Sequence, residues 1–165
     1  MTLSTVTEVM KSTLITLISI TLLVSSSFRL LAQTAQAREK HFNVEKSLAL
    51  DGYDPVTYFL GSPTKGKPGI SAVHNGITYY FVNAQNQAAF KSDVEKYEPA
   101  YGGWCAFAMG ETGEKVKVDP KTYKIFNGKL YLFYNFWGNN TLEGWNQNEN
   151  ALKAKADSNW QKIVQ

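Results

Sequence analysis

The chain has one cysteine, in the stretch YGGWCAFAMG at residues 101–110. If a helix begins directly after the glycine pair of this stretch, the thiol of Cys105 lies in its first turn. Unpaired backbone N–H groups and the helix dipole at that position favour a thiolate. We therefore expect a binding or thiol-redox site centred on Cys105. The residues expected to shape it are Tyr101, Gly102, Gly103 and Trp104.

Two other interpretations of the same cysteine remain open. Cysteine is among the most frequently buried residue types, and the neighbours of Cys105 are apolar, so it is also typical of a small core residue. Alternatively, Cys105 and Met109 are four residues apart and share one face of a helix. Sulfur ligands of this kind suit Cu(I), with His74 as a third ligand, so copper is the alternative cofactor.

Conventional cysteine enzymes need partner residues that are scarce here. There is no second cysteine to form a C-x-x-C pair, and the two histidines are His41 and His74. His41 is expected in an extended lead-in and His74 on a hairpin. The sequence therefore contains no complete catalytic constellation, and enzymatic activity is left open.

Two Asn-Gly pairs predict the sheet that must carry this stretch. Asn75-Gly76 separates the apolar runs 72–74 and 77–82, and Asn127-Gly128 separates 123–126 from 129–134. Asn-Gly between such runs is the strongest short signal for a β-hairpin. We therefore expect a small antiparallel sheet built from two hairpins.

Helices are predicted around the hairpins. Asn83 suits the N-cap of a helix over residues 84–97 that breaks near Ser92 and Asp93. Another short helix is expected over 104–109, closed by Gly110. From Thr141 onward, apolar residues recur at helical spacing and indicate a C-terminal amphipathic helix. Together these elements predict a single α+β domain.

The first residues resemble a targeting segment. An uncharged apolar run covers residues 12–28, and Ala35-Gln36-Ala37 supplies small residues at the positions a signal peptidase reads. We predict a signal peptide over 1–37 and a mature domain over 38–165 that is secreted or periplasmic. The alternative is an uncleaved anchor, which would be the protein's one contact with a membrane.

The charge pattern argues against nucleic acid as a partner. Seventeen Lys and Arg against fourteen Asp and Glu give a net charge of only +3. The lysines between 115 and 124 alternate with apolar and acidic residues, as on a solvated surface. The partner and ligand are left open.

A longer stretch, HNGITYYFVNAQNQAAFKSDVEKYEPAYGGWCA, resembles the YHS domain family. The matching positions are Gly76, Tyr79, Phe81, Phe90, Asp93, Tyr97, Tyr101, Gly102 and Gly103. The likeness extends over about residues 43–162 and includes LALDGYDPVTYF near its start. It implies a small secreted module, and some secreted relatives carry selenocysteine at the position of Cys105. That would make the position redox-active in them.

The chain also departs from the family pattern. The motif histidine is Tyr80 and the motif serine is Asn83. Metal-associated members resemble small zinc-finger-like modules with cysteines where this chain has Thr57, Val82 and Asn86. None of these three is a soft metal ligand, so the family's metal site is not carried over.

Overall fold

The computed structural model describes residues 35–165, which form an α+β fold ending in a long helix. The predicted fold class is confirmed. The predicted signal segment lies almost wholly outside the described residues. Within residues 35–165, no helix combines the length and the apolar character needed to cross a membrane. The helices are residues 35–41 (α1), Pro55–Phe59 (α2), Ala84–Ser92 (α3), Val94–Tyr97 (α4), Ala106–Glu111 (α5), Thr141–Gln147 (α6) and Glu149–Val164 (α7).

The strands form three small sheets within the described part of the chain. One has the order β1-β2-β4-β3, and the other two are the pairs β5-β6 and β7-β8. All neighbours are antiparallel except β2 and β4, which pair in parallel. The strands are Val44–Glu45 (β1), Leu48–Ala49 (β2), Lys67–His74 (β3), Ile77–Phe81 (β4), Asp119–Phe126 (β5), Lys129–Phe133 (β6), Asn135–Phe136 (β7) and Asn139–Asn140 (β8).

Both predicted Asn-Gly hairpins are present, and each lies in its own sheet. His74 pairs with Ile77 across the first turn, and Phe126 pairs with Lys129 across the second. The asparagines Asn75 and Asn127 have φ of 45° and 49°, which is the left-handed region that a two-residue hairpin requires. Asparagine tolerates this region better than other non-glycine residues, so these turns are locally consistent.

Polar side chains set the ends of the helices as expected. The side chain of Asn83 accepts a hydrogen bond from the backbone N–H of Asn86 at 2.8 Å and begins α3. The predicted break at residue 93 is confirmed, because Asp93 ends α3 and its carboxylate caps α4 through Lys96 N–H. The C-terminal helix is divided at Asn148, whose non-helical backbone (φ −147°, ψ 45°) separates α6 from α7.

Two hydrophobic clusters form the core. The first lies between the four-stranded sheet and β5-β6, and the second packs α5 and α7 against β6. The short helix α5 joins them, because Cys105 just before it belongs to the first cluster and Met109 to the second. Both residues are fully buried. The stretch predicted to hold the site therefore lies at the centre of the packing.

A buried carboxylate ties the elements of the first cluster together. Asp54 has no exposed surface and accepts hydrogen bonds from Val56 N–H, Val82 N–H and the Asn86 side chain, at 2.9, 2.9 and 2.8 Å. The three donors belong to α2, to the residue after β4 and to α3, so Asp54 joins these elements. All three are buried or half-buried, where unpaired polar groups are unfavourable. Its role is structural.

Candidate functional site

The thiol of Cys105 is enclosed by the fold. The residue has no exposed surface, and its backbone N–H donates to the Val116 carbonyl at 2.9 Å. Its Sγ accepts a hydrogen bond from Tyr134 N–H at 3.4 Å and lies 3.4 Å from the hydroxyl of Thr141. The accessible thiol on which a redox role depends is therefore not observed. The thiol acts instead as a buried acceptor that holds β6 near the start of α6.

The helix after Cys105 begins later than predicted. Residues 104–109 were expected to be helical, whereas α5 runs from Ala106 to Glu111 and contains Gly110 in its last turn. Cys105 is the N-cap residue, and its side chain makes no capping hydrogen bond. The glycine pair belongs instead to the preceding 3-10 turn Ala100–Gly103, in which Tyr101, Gly102 and Gly103 have positive, non-helical φ.

The residues considered as copper ligands have separate surroundings. Met109 packs in the second hydrophobic cluster with Trp145, while the ring of His74 lies 3.1 Å from the side-chain amide of Asn75 at the tip of the first hairpin. Among residues 35–165, no group of three His, Cys, Asp or Glu side chains could hold a metal ion. Nothing in these surroundings supports a copper site.

The glycine pair serves close packing with the segment 41–43. A Cβ on Gly102 would lie 2.9 Å from the ring of Trp160 and 3.0 Å from the ring of Phe42. Asn43 donates its backbone N–H to the Gly102 carbonyl at 2.8 Å and its side-chain amide to the Gly103 carbonyl at 3.0 Å. No residue with a side chain would fit at Gly102, since its φ of 60° adds strain to the clash.

Residues 41–43 and the glycine pair lie between two clefts, and we call these residues the wall. Tyr101 and Gly102 line one cleft together with Phe42, while Trp104 and Asn43 line the other. The indole N–H of Trp104 donates to the His41 carbonyl at 2.7 Å and holds the wall together. The structure thus brings Tyr101, Gly102 and Trp104 to clefts and Gly103 to the wall between them, and it leaves Cys105 buried in the first hydrophobic cluster.

The cleft next to Trp104, which we call the aromatic cleft, has a volume of about 930 Å³. Its size falls in the usual range for small-molecule sites. Five aromatic side chains line it, and they come from β4, the wall and the region from the end of β6 to the β7-β8 turn. They are Tyr80, Trp104, Tyr134, Phe136 and Trp137.

Trp137 is the most exposed large apolar residue described, at 95% of its surface. It lies in the two-residue turn between β7 and β8, with φ of 51°, followed by Gly138 at 79°. The two Asn-Gly hairpins use asparagine at the equivalent position. A bulky residue there is strained by about 1 kcal/mol or more, and strain of this kind concentrates at functional sites.

Backbone strain recurs around the same cleft. Among the eight non-glycine residues with positive φ in the described part, Lys46, Asp51 and Trp137 all line the aromatic cleft. Lys46 occupies the turn between β1 and β2, and Asp51 the 3-10 turn that follows. The strained backbone presents these three side chains at the cleft.

The second cleft, which we call the polar cleft, has a volume of about 670 Å³, and four of its five charged side chains form two ion pairs. Arg38 forms an ion pair with Glu98 at 2.5 Å, and Lys153 pairs with Asp157 at 2.7 Å. Each pair is joined by a tyrosine hydroxyl. Tyr79 donates to Glu98 at 2.7 Å, and Tyr101 donates to Asp157 at 2.8 Å.

The two tyrosines that donate to carboxylates of the polar cleft, Tyr101 and Tyr79, stay protonated to high pH. Burial, followed by the hydrogen bond to Asp157, raises the pKa of Tyr101 well above its usual value. Burial and the nearby charge of Glu98 do the same to the pKa of Tyr79. Each carboxylate accepts a hydrogen bond from a tyrosine and pairs with a cation. The polar side chains of this cleft therefore mainly stabilise the fold.

Sequence reasoning did not identify Trp137, Phe136 or the lysines as site residues. The available signal was the Trp-Gly pair at residues 137–138, where the other hairpins have Asn-Gly. An aromatic residue in a turn position that favours asparagine indicates a role other than folding. The strain at Lys46 and Asp51 had no comparable signal.

No family model, no curated protein and no solved structure matches this chain. The resemblance to YHS domains therefore stays a prediction.

Proposed function

We propose that this chain is a secreted or periplasmic binding module that takes a small ring-bearing molecule in the aromatic cleft. The observation that carries the proposal is Trp137, which is almost fully exposed at the cleft although its backbone is strained. Water-exposed indole is unfavourable, and so is a bulky residue at positive φ. A residue that combines both is explained by a ligand that covers it.

The rings around Trp137 support a stacking role. Its ring centroid lies 6.0 Å from that of Phe136 and 6.4 Å from that of Tyr134, and the last two are 5.1 Å apart in an edge-to-face arrangement. Edge-to-face packing within the group leaves ring faces available to a flat ligand. Trp104, whose indole is fixed on His41, adds a rigid aromatic surface to the same cleft.

Between the binding and the thiol-redox interpretations of the YGGWC stretch, the surroundings of Cys105 favour binding. The buried Sγ holds the Tyr134 backbone through its hydrogen bond, and the Tyr134 ring lines the aromatic cleft. Cys105 therefore contributes to the site by positioning Tyr134. A ligand in the cleft would meet Trp104 and Tyr134.

Indole NMR signals provide a test that identifies the cleft in which a ligand binds. The chain has four tryptophans. Trp104 and Trp137 line the aromatic cleft, Trp160 lines the polar cleft and Trp145 is buried in the core. Their indole signals are assigned with single Trp→Phe variants. Titration with the ring probes 8-anilino-1-naphthalenesulfonate and N-phenyl-1-naphthylamine should then shift the signals of Trp104 and Trp137.

Binding strength provides the second readout. Trp137→Asn should weaken probe binding by about fivefold, since one aromatic stacking partner is worth about 1 kcal/mol. Leu60→Ala is the matched control, because Leu60 is also apolar and 70% exposed but lies outside the cleft. Shifts confined to Trp160, or equal binding by both variants, would show that the aromatic cleft is not the binding site.

A further inference from the structure

Three lysines surround the aromatic cleft, and they come from separate parts of the chain. Lys46 lies in the β1-β2 turn, Lys65 in the loop before β3 and Lys117 in the segment before β5. All three lysines are exposed to solvent. Their convergence is a product of the fold, because no two of them are closer than about 19 positions in sequence.

These lysines differ from Arg38 and Lys153 of the polar cleft, which are paired with carboxylates. The ion pairs among the described residues are Arg38 with Glu98, Lys124 with Glu149 and Lys153 with Asp157. None of them involves a lysine of the aromatic cleft. The ammonium group of Lys65 instead lies 5.5 Å from the ring centre of Tyr53. A neutral ring does not cancel the positive charge, so this charge can still attract a ligand.

Two carboxylates, Glu45 and Asp51, line the same cleft. Three positive and two negative charges leave the lining with a positive excess. A ligand with a negative group therefore gains attraction to the lysines and is repelled by the two acids. Exposed charges a few ångströms from a ligand each change its affinity by about two- to fivefold at low salt.

From these charges and rings, we infer that the ligand of the aromatic cleft is an anion, a small molecule that has a flat ring and one acidic group. The inference rests on the proposed function, since it names the ligand class of that same cleft. The ring stacks against Trp137 and Trp104, and the acidic group contacts the lysine ammonium groups. Recognition needs both parts, because the rings alone do not distinguish an anion from a neutral ligand.

The two ring probes form a matched pair for the test. They share the naphthalene and aniline rings, and only 8-anilino-1-naphthalenesulfonate has a sulfonate. N-phenyl-1-naphthylamine is the more hydrophobic, so hydrophobic contact alone would favour the neutral probe. We expect the anion to bind about two- to fivefold more tightly at low ionic strength, and this preference should shrink as salt is added.

Substitutions of both signs identify the charges responsible. Lys117→Gln should weaken binding of the anion by about two- to fivefold, and Asp51→Asn should strengthen it by a similar factor. Binding of the neutral probe should stay the same in both variants. Lys91→Gln on α3, outside the cleft, is the control for net charge.

The outcomes separate this inference from the proposed function. If both probes shift the Trp104 and Trp137 signals with equal affinity, the cleft binds rings and the anionic class is wrong. If neither probe shifts those signals, the proposed function itself fails. If Lys117→Gln and Lys91→Gln weaken the anion equally, the effect comes from net charge and the assignment to the cleft lysines is overturned.

Discussion

Replacing Trp137 by asparagine should make the protein more stable and a weaker binder. The turn would then match the other two hairpins, in which Asn75 and Asn127 occupy the same position with φ of 45° and 49°. Removing a bulky residue from the left-handed region is worth about 1 kcal/mol or more. Asparagine is the preferred residue there.

The opposing loss is small because little of Trp137 is buried. With 95% of its surface exposed, the side chain covers about 10 Å² of a surface of about 250 Å², which is worth roughly 0.3 kcal/mol. The expected net gain is therefore about 0.5–1 kcal/mol. It corresponds to a rise of about 2–4 °C in the melting temperature of a domain of this size.

Urea unfolding followed by circular dichroism at 222 nm measures the effect without relying on the substituted fluorophore. The midpoint should rise with an unchanged slope, which shows that the folded state gained stability. Asn127→Trp in the β5-β6 turn is the reciprocal variant and should lose about the same amount. A Trp137→Asn protein that is less stable than the original, or that binds the ring probes equally well, would refute the argument that strain is kept for binding.

Three further predictions concern the core around the clefts. The Cys105 thiol should react with a disulfide reagent at least about 10³-fold more slowly in the folded protein than in guanidinium, because access requires opening of the core; equal rates would show an accessible thiol. The free energy of unfolding should fall above about pH 10. Tyrosine in the unfolded chain ionises there, but Tyr101 in the folded protein does not, because its pKa is raised. The stability that this raised pKa supplies is therefore present below pH 10 and is lost as pH rises. Urea titrations at several pH values should therefore show a shallower alkaline loss for Tyr101→Phe, and an unchanged slope would contradict this. Gly110→Ala should destabilise the protein by about 1–3 kcal/mol despite the better helix propensity of alanine, because the added Cβ would lie 2.6 Å from the Leu152 carbonyl oxygen. Thermal unfolding measures the effect. Gly69→Ala is the control, since a Cβ at that position meets open space.

The local elements were predictable because their causes lie within a few residues. Asn75-Gly76 and Asn127-Gly128 specify tight hairpins through backbone preference alone, and the side chains of Asn83 and Asp93 satisfy the first N–H groups of the helices that follow. The starting residue of α5 was predicted two positions too early. The glycine pair does not start that helix but ends the preceding 3-10 turn, where Gly102 packs closely against Phe42 and Trp160.

The surroundings of the predicted site residues depend on tertiary packing. Tyr101, Gly102 and Trp104 line clefts, and their role in shaping a site stays a prediction. The thiol at the centre of that expectation is enclosed by Tyr134 and Thr141, which follow it by 29 and 36 positions. Burial of a small residue depends on such distant contacts, and neighbouring residue types do not reveal it.

By itself, the sequence determined the α+β class, both Asn-Gly hairpins and the break between α3 and α4, since each follows from residues close together in the chain. Tertiary structure decided which side chains meet solvent together. It buried Cys105 and Met109, and it brought Lys46, Lys65 and Lys117 to the aromatic cleft beside Trp137. The physical reason is that local backbone preferences act over a few residues, whereas burial and a shared cleft depend on how distant segments pack.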